Sequence, residues 1–134
     1  MTNLVDIEGI AEGYAEKLHA AGVATVEALL LQGATPEGRD KIVEDSGIGH
    51  AYILKWVNHA DLFRIHGVAG EYAELLEAAG VDTVVELSQR NAENLTEKLA
   101  EVNESKHLVR QVPTLTEVTK WIAEAKDLPR AVSY

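Results

Sequence analysis

Cysteine is absent from this chain of 134 residues. Its absence excludes a disulfide framework, a thiolate metal site and a cysteine nucleophile. No apolar run approaches the roughly 18 residues of a membrane-spanning helix, and residues 1–6 have neither the basic start nor the apolar stretch of a secretory signal. We therefore expect a cytoplasmic protein that has no membrane partner.

Basic and aromatic residues are both scarce. Twelve Lys and Arg stand against 22 Asp and Glu, which gives a formal net charge of −10, and aromatic residues make up 5% of the chain. A negative protein repels a phosphate backbone, and so few aromatic side chains do not build a base-stacking platform. Residues 1–63 hold 4 basic and 10 acidic side chains, so this half favours a basic protein partner.

Motifs that carry catalysis are missing as well. No two histidines have the four-residue spacing of a helical metal site, no serine lies in a nucleophile elbow, and no phosphate-binding loop ends in Gly-Lys-Ser or Gly-Lys-Thr. The five histidines are His19, His50, His59, His66 and His107. We therefore expect a protein that is no enzyme, with no catalytic residue, no metal ligand and no cofactor.

What the chain does contain is an internal repeat. Residues 7–29 and 65–87 align without a gap at an offset of 58 positions, and 14 of the 23 aligned residues are identical. Self-similarity at a fixed offset indicates a repeated supersecondary unit. We therefore predict two repeats, residues 1–63 and residues 64–134.

Apolar residues recur at helical spacing along nearly the whole chain, and the alternation typical of strands is missing. The predicted fold class is all-α, with about eight to ten short helices in tandem repeats packed as one compact helical unit. Gly22 and Gly80 lie where a helix would end in a left-handed residue. Thr25 and Thr83 then suit the N-caps of the next helices.

Later helices are also marked by their ends. Thr35 followed by proline predicts a helix that runs to about Asp45, and a further helix is predicted over residues 50–63. Trp56 lies on the apolar face of that helix, together with the neighbouring aliphatic residues. We therefore predict Trp56 as a core anchor of the first repeat.

The second repeat is longer than the first. Trp121 has the same sequence surroundings as Trp56, but the offset has grown from 58 to 65, which places an insertion of seven residues within 102–113. Thr114 opens the final helix with a capping box, and a proline ends it. Residues 130–134 then form a tail, for which fraying is the default expectation.

Each repeat begins with a short glycine turn. The turns comprise Gly9, Ile10 and Ala11 in the first copy and Gly67, Val68 and Ala69 in the second. With the Tyr-Ala-x-x-Leu segment and the closing glycine that follow each turn, they resemble the helix-hairpin-helix superfamily. That resemblance implies an apolar plug at Ile10 and Val68, and backbone amides that contact DNA phosphates without reading sequence.

Two departures from the superfamily pattern weaken the expectation of DNA binding. Ala11 and Ala69 replace the second hairpin glycine, and a Cβ there obstructs phosphate approach and disfavours a positive φ. Glu12 and Glu71 follow, where DNA-binding members carry basic residues. We therefore favour a structural role for both hairpins.

The two copies are joined by the segment Trp-Val-Asn-His-Ala-Asp-Leu, residues 56–62, which leads into the second copy. In this arrangement the chain resembles, over nearly its whole length, a bacterial family known as domain of unknown function 4332. That resemblance implies a fold and no established activity.

Two other features remain open to a binding role. Gly47, Ile48 and Gly49 form an intact glycine turn, which is either an amide nest for an anion or a helix end with a core plug, and the adjacent acidic residues favour the helix end. Positive charge gathers in the second repeat. The candidate nucleic-acid contacts are Arg64, His66, Lys98, Lys106, His107 and Arg110, although ordinary solvated charges are the simpler interpretation.

These patterns favour binding without catalysis. The predicted function is a protein-interaction or adaptor module on a degenerate helix-hairpin-helix scaffold, with a basic protein as its partner. The alternative is sequence-independent binding of duplex DNA or structured RNA through the second hairpin. Tyr14 and Tyr72 are predicted core residues like Trp121, whereas Tyr52 and Tyr134 are candidates for a partner interface.

Overall fold

The computed structural model describes residues 2–134, and their regular secondary structure is helical, which confirms the all-α prediction. In this part of the chain a 3₁₀ helix, Leu4–Asp6, precedes eight α-helices. The helices are α1 (Glu12–Ala20), α2 (Val26–Gln32), α3 (Pro36–Ser46), α4 (His50–Leu62), α5 (Gly70–Ala78), α6 (Val84–Ser88), α7 (Ala92–Lys106) and α8 (Leu115–Asp127).

Contacts within the chain divide it into two units. The first comprises residues up to Asp61 together with Ala131–Tyr134, and the second is Leu62–Arg130. The first unit therefore contains α1, α2, α3 and nearly all of α4, and the second contains α5 to α8. The last four residues belong to the first unit, although α8, which precedes them, belongs to the second.

Glycine and threonine define the helix ends at the predicted positions. Gly22 follows α1 with a φ of 87°, and Gly80 follows α5 with a φ of 93°, both in the left-handed region that glycine adopts without strain. Thr25 Oγ1 accepts a backbone N–H at 3.0 Å at the start of α2. Thr114 and Glu117 form the predicted capping box of α8.

The first glycine turn contains a β-turn over residues 7–10 that packs against the core of the first unit. The N–H of Ile10 donates to the carbonyl of Ile7 at 3.1 Å, and Gly9 has a φ of 94°, as the third residue of a type II turn requires. A Cβ at Gly9 would lie 3.4 Å from Trp56 Nε1 of α4. Ile10 and Trp56 are 3% and 1% exposed, so both are core residues, as predicted.

The second unit has the same local arrangement. The N–H of Val68 donates to the carbonyl of Ile65 at 3.1 Å, and Gly67 has a φ of 88°. A Cβ at Gly67 would lie 3.3 Å from Trp121 Nε1 of α8. Val68 and Trp121 are buried in a core to which α5, α6, α7 and α8 all contribute. The indole therefore packs directly on the glycine of the turn in both units.

The tail is ordered, so the expectation of fraying was wrong. The Ser133 N–H donates to the carbonyl of Ala34 at 2.8 Å, and Val132 is buried. Backbone pairing and apolar burial hold a terminal segment in place even where its own sequence has no regular structure. The interacting residues are 99 positions apart, beyond the reach of any local pattern.

We expect the substitution Gly67→Ala to destabilise the second unit. An L side chain in the left-handed region costs about 1–2 kcal/mol, and the new Cβ would be pressed against the indole of Trp121. The expected result is a lower midpoint of urea unfolding, measured by circular dichroism.

Gly13→Ala provides the matched control. Gly13 lies in α1, where a new Cβ meets nothing within 4 Å. Alanine is the better helix former by about 0.5–1 kcal/mol, so this variant should unfold at an equal or higher urea concentration. A Gly67→Ala variant that unfolds at the wild-type midpoint would contradict the role of this turn.

Candidate functional site

The alanines of the two hairpins are unstrained. Ala11 is the N-cap of α1 with a φ of −90°, and Ala69 is the N-cap of α5 with a φ of −127°. Both values are negative, so the backbone at these positions does not need glycine. Each hairpin has one residue in the left-handed region, at Gly9 and Gly67.

The turn at residues 47–49 completes a helix end. Gly47 has a φ of 74° and its N–H donates to the carbonyl of Val43 at 2.9 Å. The N–H of Ile48 donates to Ser46 Oγ at 3.1 Å, and the Ile48 side chain is buried, while Gly49 is exposed. Two of the three amides of the turn thus donate to residues of α3, which favours the structural interpretation over an anion nest.

Two of the six candidate basic residues are engaged by the end of the second unit. The Arg64 guanidinium donates to the carbonyl of Pro129 at 2.8 Å. The His66 backbone N–H donates to Glu124 Oε1 at 3.0 Å, and its ring Nδ1 lies 2.8 Å from Glu124 Oε2. A carboxylate on α8 therefore lies beside the second hairpin, where a phosphate would have to approach.

The other four basic residues lie on α7 and the loop after it. Lys98, Lys106, His107 and Arg110 are all exposed. His107 ends α7 in the left-handed region with a φ of 52°, and the side chain of Asn103 holds the loop by two hydrogen bonds to the backbone of Val109, at 2.9 and 3.1 Å. The segment predicted as an insertion, residues 102–113, thus comprises the last turn of α7 and an ordered loop.

Three aromatic rings of the first unit form a stack that runs from the core to the surface. Tyr14 of α1 and Tyr52 of α4 pack on Trp56, with ring centroids between 5.1 and 5.9 Å apart. Tyr52 is 52% exposed, and Lys17 Nζ lies 5.9 Å from the centroid of the Tyr14 ring. We call the surface formed by Tyr14, Lys17 and Tyr52 the tyrosine face.

The second unit has no such face. Tyr72 packs on Trp121 with ring centroids 5.3 Å apart, but the position four residues before this tryptophan is Glu117, where the first unit has Tyr52. The Tyr72 hydroxyl donates to the carbonyl of Gln111 at 3.1 Å. Burial raises the pKa of Tyr72, and the nearby carboxylates of Glu117 and Glu71 raise it further. The corresponding surface is therefore acidic.

Acidic side chains lie along α1 on the side away from the tyrosine face. Glu12, Glu16 and His19 are exposed and, with Ala15, line an open depression. At a helical period these residues lie on the side of α1 opposite Tyr14. The helix thus presents an aromatic side and a carboxylate side.

The end of α4 is buried on every side. Seven consecutive residues, 56–62, are buried, among them Asn58, His59 and Asp61. Sequence periodicity did not indicate this burial, because an amphipathic pattern assigns polar residues to the solvent side. Within residues 2–134, no group of three or more His, Asp and Glu side chains is placed to hold a metal ion. None of the helices in the described part of the chain is long and apolar enough to cross a bilayer.

We expect the substitution Glu71→Gln to lower the pKa of Tyr72, because it removes a negative charge that opposes the phenolate. The raised folded-state pKa also means that Tyr72 favours folding below its ordinary pKa of 10.0, and that this contribution is lost as the pH rises through the folded value. A pH titration of ¹³C-labelled tyrosine by NMR measures the shift. Glu93→Gln, on the exposed start of α7, is the control that should leave Tyr72 unchanged, and an unchanged pKa in Glu71→Gln would contradict the assignment.

Comparison with known proteins identifies a family. No solved structure matches the chain. The family model described as Domain of unknown function (DUF4332) matches residues 8–128, from the first hairpin to the residue that follows α8. The match includes all eight α-helices of the described residues and both tryptophans that pack on the hairpin glycines. The resemblance to domain of unknown function 4332 is therefore confirmed, and the chain belongs to the family described as Domain of unknown function (DUF4332).

Proposed function

We propose that the chain is a non-catalytic protein-interaction module that binds a basic protein partner through the tyrosine face. The observation that carries the proposal is the half-exposed ring of Tyr52, stacked on a buried tryptophan. Tyrosine and tryptophan are enriched at protein interfaces and dominate their binding energy. The buried indole of Trp56 holds the outer ring in place, so little side-chain entropy is lost on binding.

Charge supports a basic partner. Of the four basic side chains among residues 1–63, Arg39 is buried and Lys41 pairs with Asp45 at 3.1 Å. Lys17 lies on the tyrosine face itself, 5.9 Å from the centroid of the Tyr14 ring, so Tyr52 is the ring left for a cation of the partner. The ten acidic residues of this segment therefore dominate its long-range field, which would steer a positively charged surface toward it. An arginine of the partner suits both features, because its guanidinium stacks on a tyrosine ring with a gain of about 0.5–1 kcal/mol at an exposed site.

We further infer that each unit is built on a helix-hairpin-helix-like scaffold. Three observations support this inference in each unit: a turn with glycine in the left-handed region, a buried apolar residue after it, and a second left-handed glycine at the end of the next helix. The buried residues are Ile10 and Val68. A scaffold of this kind leaves its outer helix faces free to vary, as Tyr52 and Glu117 do.

Binding of nucleic acid through the second hairpin is the weaker proposal. Arg64 donates to a backbone carbonyl, and His66 contacts the carboxylate of Glu124. Both contacts compete with a phosphate for the same donors. The Glu124 carboxylate would also repel a phosphate at close range.

We expect the substitution Tyr52→Ala to reduce recovery of a stoichiometric partner by about tenfold or more, as loss of an interface hot spot does. The measurement is a quantitative pull-down with tagged full-length chain, after circular dichroism has shown that the variant is folded. The matched control is Leu31→Ala, which truncates an apolar side chain that is 80% exposed and lies on α2. Absence of any stoichiometric partner, or equal recovery by both variants, would refute the proposal.

Duplex DNA should not bind measurably at about 50 mM salt, where counterion release favours nonspecific complexes most. Fluorescence anisotropy with a labelled duplex tests this expectation directly. Affinity that falls steeply with salt, and that weakens further when Arg64 and Arg110 are both changed to Glu, would instead support the nucleic-acid alternative.

A further inference from the structure

Arg39 is a charged side chain buried in the first unit, with 7% of its surface exposed. The two hydrogen bonds of its guanidinium go to carbonyl oxygens: Nη1 donates to Gly33 at 2.8 Å, and Nη2 donates to Ser133 at 2.7 Å. A buried guanidinium requires such acceptors, because its donors are cut off from water. One of the two acceptors comes from the last four residues of the chain.

Those four residues, Ala131–Tyr134, are the tail segment, and they make further contacts with the first unit. The N–H and the hydroxyl of Ser133 both donate to the carbonyl of Ala34, at 2.8 and 3.2 Å. The Tyr134 hydroxyl donates to Asn58 Oδ1 at 3.0 Å, and its ring lies 5.7 Å from the Arg39 guanidinium carbon. We call the groups that receive the segment, Gly33, Ala34, Arg39 and Asn58, the tail site.

The tail site recognises an extended segment in detail. The Ala34 carbonyl accepts a hydrogen bond from the backbone N–H of the segment, and the Asn58 side chain accepts one from its phenol hydroxyl. The Arg39 guanidinium donates to a backbone carbonyl of the segment and lies over its aromatic ring. Val132, between these polar contacts, is 2% exposed. Arg39 and Asn58, the two helical residues that contact the segment, are themselves buried. An empty site would therefore leave their polar groups with fewer hydrogen bonds.

Only residues 128–130 join α8 to the tail segment. Leu128 is extended, with φ −96° and ψ 138°, as the residue before a proline prefers. The carbonyl of Pro129 accepts a hydrogen bond from Arg64 at 2.8 Å, which fixes the start of the connection. A short hinge with restricted torsions gives the released segment little freedom to move within its own molecule. Such a hinge favours exchange of the segment between two molecules.

We propose that the tail site also binds the Ala131–Tyr134 segment of a second copy of this chain, so that two copies exchange tails. An identical segment makes the same hydrogen bonds and buries the same valine, and only the hinge at residues 128–130 changes conformation. The tethered segment competes at an effective concentration in the millimolar range, so the closed monomer predominates in dilute solution. Exchange becomes apparent when the protein is concentrated or when the chain's own tail cannot bind.

Two full-length variants test the proposal by complementation. Arg39→Gln weakens the site and leaves the tail intact, whereas Ser133→Pro leaves the site intact and removes the N–H and hydroxyl that bond to Ala34. Each variant alone should be monomeric, and an equimolar mixture should form a 1:1 heterodimer, measured by light scattering after size exclusion. The control mixture pairs the Arg39→Gln variant with the double variant Arg39→Gln, Ser133→Pro. Neither protein in this mixture has an intact tail site, so both should stay monomeric. If the first mixture stays monomeric at several hundred micromolar, within about tenfold of the effective concentration, while both variants are folded, the proposal is wrong.

A second measurement keeps Arg39 in place, in case its replacement prevents folding. The double variant Ala34→Cys, Ser133→Cys places one thiol in the tail site and one in the segment. Because the chain contains no other cysteine, a disulfide formed on oxidation can join only these two positions, within one copy or between two. We expect an internal disulfide in dilute solution and a growing fraction of covalent dimer as the concentration before oxidation increases. The control pair, Ala51→Cys with Ser133→Cys, places the first thiol on an exposed position of α4 and gives the background of chance dimers. A dimer fraction no higher than this background at every concentration would overturn the proposal.

Discussion

Contact between a tryptophan indole and a turn glycine is the constraint on which both units depend. In each unit the third residue of the first turn is in the left-handed region, and a Cβ there would lie within 3.4 Å of an indole nitrogen. Glycine is the residue that satisfies both conditions, because it has no side chain to strain the backbone or displace the ring. The contact ties the turn before α1 to α4 and the turn before α5 to α8, and it orients Ile10 and Val68 into the two cores.

With this inner contact in place, the outer faces of the two units differ. Tyr52 and Glu117 both lie four residues before a tryptophan, one turn away on the same side of the helix. In the first unit this position extends the aromatic stack into solvent, and in the second unit it completes the cap of α8 and raises the pKa of Tyr72. The proposed interaction with a basic protein depends on this difference. Membership of the family described as Domain of unknown function (DUF4332) leaves the partner to be identified by experiment.

Local features of the fold were predictable because their causes are local. Thr25 and Thr114 cap helices through atoms three residues away, and Gly22 ends a helix because of its own torsion angles. The prediction that the tail frays was wrong because the contact that orders it is not local. Ser133 bonds to a residue 99 positions earlier, and the sequence around Ser133 contains no sign of that contact. For the candidate site, the sequence offered Tyr52 only as one of two candidates for a partner interface. Its stacking with the other rings required the packing of α1 against α4 to be known.

The sequence by itself determined the all-α class, the helix ends that glycine, threonine and proline mark, and the positions of the glycine turns, because each depends on torsion preferences and hydrogen bonds within a few residues. Only the tertiary structure decided which side chains meet across the fold. Arg39 would be expected on a solvated surface, yet it is buried because carbonyls from both Gly33 and the tail converge on it. The charge on the second hairpin likewise looks available for phosphate until Glu124 is found beside His66. Such contacts follow from distances in space, which one-dimensional patterns of charge and hydropathy do not encode.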